Sequence, residues 1–112
     1  MAKFLAVFTG SPEAAAAAGP MDDATVAKGM EAWGGWMERH AAQVAETGGP
    51  LGKTKKVSKS GTSDISNNLA AFVIVEADSH EAAARMFEGH PHFTIFPGEG
   101  VEIMPVLPIP TR

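Results

Sequence analysis

The chain has 112 residues, of which 45% are hydrophobic, and a formal net charge of -4. That length supports a single domain with one core, spanning 1–112, and the mildly acidic balance argues against nucleic acid or an anionic membrane surface as the main partner. Cysteine is absent, which excludes disulfides, thiolate metal sites and cysteine nucleophiles.

Lys3 to Thr9 concentrates Phe, Leu and Val and is stopped by Gly10-Ser11-Pro12, so it reads as a strand. Its apolar run is shorter than a signal-peptide core, and no stretch approaches the roughly 18 apolar residues of a membrane span. A cytoplasmic protein is expected. Glu13 to Pro20 is alanine-rich and reads either as a short helical turn or as a loop. A helix capped by Asp22 or Asp23 follows, with the apolar stripe Val26, Met30, Trp33, Met37, Ala41 and Val44. It is predicted to run to Gly48-Gly49-Pro50. Gly29, Gly34 and Gly35 lie inside it, which implies a kink or a neighbour too close for a Cβ.

Lys53 to Lys59 alternates weakly and carries four lysines. It reads as an exposed edge strand with a solvated lysine face and not as a phosphate site. Ser60 to Asn68 is a polar loop. Leu69 to Glu76 is the clearest strand, apolar on both faces. Asp78 as cap with Glu81 three residues on predicts a second helix, burying Ala82, Ala83, Met86 and Phe87 and ending at Gly89. Val101 to Val106 is the last strand. Pro105, Pro108 and Pro110 close the chain in an extended tail.

The order β-α-β-β-α-β predicts an α+β, ferredoxin-like fold: a four-stranded antiparallel sheet with both helices on one face. Strands one and three are then central. Both carry apolar residues on the face without helices, and the expected cover is a second copy, giving a homodimer.

In order and spacing, several segments resemble the YCII-related (DGPF) family. They are Lys3-Phe4-Leu5-Ala6-Val7-Phe8, Met30-Glu31-Ala32-Trp33-Gly34-Gly35-Trp36-Met37, Gly48-Gly49-Pro50-Leu51-Gly52, Phe72 to Ser79, Gly89-His90-Pro91-His92-Phe93 and Val101 to Val106. The resemblance covers nearly the whole chain. It implies a ferredoxin-like subunit, a dimeric α/β barrel and a pocket between sheet and helices. In some members a histidine and aspartate pair is proposed for acid-base work, and a few relatives act on small aromatic or lactone-like compounds. The Asp-Gly-Pro-Phe signature itself is absent here, and Trp33 and Trp36 stand near where other members place a histidine.

Gly89-His90-Pro91-His92-Phe93 is the first place to look for chemistry. Histidine exchanges protons near neutral pH, and proline biases His90 toward an extended conformation. If the segment is extended, both rings project to the same side. His90 and His92 are therefore candidate acid-base residues, against a structural reading in which they satisfy a helix C-terminus. Asp64, the one acid in the loop that replaces the signature, is a candidate to orient a histidine; otherwise it is a turn former. Trp33, Trp36 and His40 are candidate ligand-binding residues. One tryptophan is expected in the core and the other at a pocket rim, and His40 either points toward the sheet or sits on the helix shoulder. His80 is read as a solvated position without a role. A metal would need three or four ligands, and His90, His92 and His40 with Glu99, Glu102 or Asp64 match no recognised spacing. No metal and no cofactor is expected.

Two functions follow. The first is a small-molecule enzyme that uses histidine acid-base chemistry for isomerisation, elimination or hydrolysis of a ring-containing compound. The second is a non-catalytic dimeric ligand-binding or interaction module.

Overall fold

In the computed structural model, which describes residues 1–110, the elements run β1 (Ala2–Thr9), α1 (Pro12–Ala18), α2 (Asp23–Arg39), β2 (Val44–Pro50), β3 (Thr54–Ser58), β4 (Gly61–Ile65), β5 (Leu69–Ala77), α3 (His80–Arg85), α4 (Pro91–Thr94) and β6 (Gly100–Pro105). Four strands form an antiparallel sheet in the order β2-β5-β1-β6. This is the ferredoxin-like α+β arrangement, with the two most apolar strands at its centre. Among the described residues no helix is long and apolar enough to cross a membrane.

Register explains where the core lies. Phe4, Ala6 and Phe8 of β1 stand opposite Val75, Val73 and Ala71 of β5, and opposite Pro105, Ile103 and Val101 of β6. Residues opposite one another share a face, so these positions make one apolar surface. Trp36 of α2, Ala83 of α3 and Phe87 close over it. The other face carries Leu5, Val7, Ile74 and Met104, and no member of the main core cluster comes from it.

Three sequence expectations need correction. The first helix stops at Arg39, with His40 as its C-cap, and does not reach Pro50. Val44 to Pro50 instead pairs with the open edge of β5. Thr47, Gly48, Gly49 and Pro50 are poor helix formers, and β5 offers backbone groups that need partners. Proline is tolerated there because β2 is an edge strand. Second, Lys53 to Lys59 is not the sheet's edge: β3 pairs with β4 as a separate hairpin, from Thr54↔Ile65 to Ser58↔Gly61. Half of the predicted loop is therefore strand. Third, the second helix is capped by Ser79, whose hydroxyl accepts from the Ala82 N–H at 3.0 Å, and not by Asp78. Asp22 caps α2, accepting from the Thr25 N–H at 2.7 Å, and the alanine tract is helical, capped by Ser11.

The buried face of α2 is also rotated from the predicted stripe. Gly29 and Trp36 are its buried residues, whereas Met30 is 63% exposed. The ring of Phe96 occupies the space that a Cβ on Gly29 would need, so this glycine marks a close approach and not a kink.

Gly48 combines a left-handed φ of +62° with a backbone that sits on the Phe72 carbonyl, into which any Cβ would run. Gly48→Ala is expected to lower unfolding free energy by roughly 2 kcal/mol or more, read as a lower urea midpoint with an unchanged slope.

Candidate functional site

The chain leaves α3 through Gly89, whose φ of +70° reverses its direction. His90 is then extended (φ -61°, ψ 141°), as a residue before proline prefers, and Pro91 opens the one-turn helix α4. The pair is therefore not extended throughout: His90 is the N-cap and His92 lies within the helix. The two imidazoles consequently have different surroundings and different chemistry.

His90 is 0% exposed. Its ring lies 4.5 Å from that of Trp33 and 5.0 Å from those of Phe8 and Trp36, centroid to centroid. Nδ1 accepts the His92 N–H at 3.0 Å. An amide N–H can only donate, so Nδ1 carries the lone pair and Nε2 carries the proton. That Nε2 is the one buried side-chain polar atom without a partner among the described residues. Burial, and then the charges of His92 and His40, push its pKa down to about 4. His90 is neutral at pH 7 and acts as a capping group, with its only basic nitrogen already engaged.

His92 has the opposite surroundings. Its Nε2 lies 2.8 Å from the carbonyl oxygen of Thr9 at the end of β1. A carbonyl only accepts, so Nε2–H donates and Nδ1 holds the lone pair. Among the described residues Nδ1 has no hydrogen-bond partner, and it is not fully sealed from solvent. The ring forms part of the wall of a cavity of about 1080 Å³ that also reaches Gly10, Leu51 and Phe96. Gly98 presses against the Nε2 side, where a Cβ would overlap the ring. The orientation of the ring is thus fixed by main chain at Nε2, while Nδ1 is left without a hydrogen-bond partner among the described residues.

A second cavity of about 530 Å³ lies between α2 and the sheet, lined by Phe8, Met30, Trp33, Met37 and Phe96 among others. Phe96 lines both cavities. The His92 ring stands edge-on to Trp33 at 6.0 Å and to Phe8 at 5.3 Å. An apolar slot therefore lies next to the His92 ring, with Phe8 and Trp33 between them.

The remaining candidates separate. Trp33 lines the slot. Trp36 is 2% exposed and donates its indole N–H to the Met86 carbonyl at 2.7 Å, so it is core. His40 lines neither cavity; its Nδ1–H donates to the Trp36 carbonyl at 3.0 Å. Asp64 reaches the wall of the larger cavity, but its carboxylate holds Lys55 at 2.7 Å and orients no histidine. The Thr9 carbonyl has that orienting position. His80, read as merely solvated, donates to the Ile103 carbonyl at 2.8 Å and stacks on Phe4. Among the described residues no group of three or more His, Cys, Asp or Glu is arranged to hold a metal ion. Sequence reasoning missed Phe96, Gly98 and the Thr9 carbonyl. The glycine inside α2 was the one trace of Phe96; a backbone acceptor leaves no trace at all.

No protein-family profile and no curated protein matches the sequence. Among solved structures, the chain is similar to 5-chloro-2-hydroxyhydroquinone dehydrochlorinase (TftG) from Burkholderia phenoliruptrix, solved in complex with 2,5-dihydroxybenzoquinone. The TM-score is 0.55 at 18% identity, over 90% of this chain and 89% of that one. This likeness supports the fold.

The state of His90 sets a pH dependence. Its folded pKa, about 4, lies below the ordinary value of 6.5. Between those values the unfolded chain binds the proton and the folded chain does not, so stability falls as pH drops through 6.5 and levels off near 4. The loss is expected to be on the order of 2 kcal/mol, less than the full shift would give because the opened box admits water. His90→Asn, which retains a capping acceptor, is expected to flatten this part of the pH–stability curve in urea unfolding monitored by tryptophan fluorescence.

Proposed function

We propose that this chain is a YCII-like enzyme that acts on a small ring-containing compound, with His92 as the group that moves the proton. The observation carrying this reading is the division of labour within one imidazole. Nε2–H is held by the Thr9 carbonyl, and Nδ1 keeps an unengaged lone pair on a ring that lines a cavity and packs against Trp33 of the neighbouring aromatic slot. His90 serves as a positioning residue, since its Nδ1 fixes the backbone of His92. Trp33 and Phe96 supply flat apolar surface against which a ring can stack.

The chemistry follows from the tautomer. Nδ1 takes a proton from a carbon or hydroxyl of the bound ring, and the bonding pair moves into the ring system. The imidazolium then returns the proton to another atom of the substrate in an isomerisation. In an elimination, the same electron pair expels a leaving group as its anion. TftG is named a dehydrochlorinase of a chlorinated hydroxyhydroquinone, and elimination from a ring is the version of this scheme closest to that name.

The test is ring-proton exchange in deuterated water, together with turnover, across a panel of chlorinated and unchlorinated hydroxyaromatic compounds. His92→Gln is expected to lower both by at least about 100-fold while the far-ultraviolet circular dichroism stays unchanged. A compound that binds the wild-type chain but is neither exchanged nor converted would favour the ligand-binding module instead.

We also propose a two-fold homodimer through the face bearing Leu5, Val7, Ile74 and Met104. Leu5 stands opposite both Ile74 and Met104, so these side chains form a continuous apolar strip. Met104 is 40% exposed in the single chain. Sedimentation velocity is expected to give twice the chain mass of 11.7 kDa and to return to one chain mass in Ile74→Lys.

A further inference from the structure

The wall of the His92 cavity carries charge. Lys53, just before β3, and Lys55, within it, both reach the cavity, as does Asp64 on β4. Two ammonium groups against one carboxylate leave these lining residues at net +1, in a chain whose net charge is -4. The two lysines are not equivalent. Lys55 is paired with Asp64 at 2.7 Å, whereas Lys53 has no carboxylate partner among the described residues. The solvated-face reading of the lysine segment therefore fits Lys56 and Lys59, which do not reach the cavity, better than it fits Lys53. Elsewhere the wall is largely apolar, with Leu51, Ile65, Leu69 and Phe96.

One uncommitted cation, an apolar wall and a basic histidine nitrogen in one cavity call for a particular ligand. The ammonium needs an anionic acceptor, the wall needs flat hydrocarbon, and Nδ1 needs a proton to take. We propose that the His92 cavity takes a ring compound bearing an anionic oxygen, either a carboxylate or an ionised hydroxyl, and that Lys53 binds that oxygen. A charge-assisted hydrogen bond from Lys53 is stronger than one between neutral groups and adds to the apolar contacts of the wall. The proposal rests on the reading of the cavity as the His92 reaction site and specifies its substrate class.

The test uses three probes of similar bulk on the full chain, by isothermal titration calorimetry at pH 7.5: naphthoate, pentafluorophenolate and the neutral naphthalenemethanol. At least one of the two anions is expected to bind ten or more times more tightly than the alcohol, and which one does so tells carboxylate from ionised hydroxyl. Lys53→Ala is expected to weaken that anion tenfold or more and the alcohol less than twofold, with Lys53→Arg restoring most of the loss. Because Lys53 is exposed, the alanine variant keeps the fold. Equal affinity for anions and alcohol, or anion binding that Lys53→Ala leaves within twofold, overturns the proposal while the ring-binding cavity stands. Failure of all three probes to bind removes the ring-binding cavity itself, and the proposal with it.

Discussion

The hydrogen bond from the His92 N–H to Nδ1 of His90 ties the hydrophobic core to the wall of the larger cavity. On the core side, His90 is enclosed by Phe8, Trp33 and Trp36 and excluded from water. Charging it there would put a cation in a site with no acceptor for its second proton, which burial disfavours. The ring therefore stays neutral and keeps a lone pair for the amide. On the cavity side that amide belongs to the residue with the free basic nitrogen. The aromatic core thus sets the position of His92 through a neutral imidazole, with α4, only four residues long, as the part that transmits it.

The sheet completes the arrangement from the opposite direction. β1 brings its last carbonyl, that of Thr9, to Nε2 of His92, and β6 starts just beyond Gly98, which backs the same ring. Two chain segments far apart in sequence meet at one side chain. Gly29 plays a similar part on the other flank: its missing Cβ lets Phe96 lie against α2 and separate the two cavities. Close backbone approach, more than polar side-chain networks, shapes this end of the molecule.

Much of the fold was legible in the sequence. The double-faced apolar content of Lys3–Thr9 and Leu69–Glu76 marked the central strands, and Asp22 marked the start of the long helix. The pattern was misleading where tertiary pairing overrode local periodicity. Ala41 and Val44 continue a helical stripe, yet the unpaired edge of β5 draws Val44–Pro50 into the sheet. The weakly alternating lysine segment was a strand, as read, but its partner was the adjacent polar segment and not β5. At the site, the sequence pointed to the correct pentapeptide and gave no way to tell its two histidines apart. What separates them is burial and the identity of each ring's partner, and for His92 that partner is a peptide carbonyl.

Orientation by the main chain changes how such a site is inherited. A histidine oriented by an aspartate depends on the codon for that aspartate, and one nucleotide change can remove it. The acceptor behind His92 belongs to the main chain, so every amino acid at position 9 supplies it as long as β1 keeps its register with β5 and β6. Selection to retain this acceptor falls on strand register, a property shared by many positions, and not on one residue's identity. The sequence around such a ring, position 9 included, can change widely while the acceptor behind it stays in place.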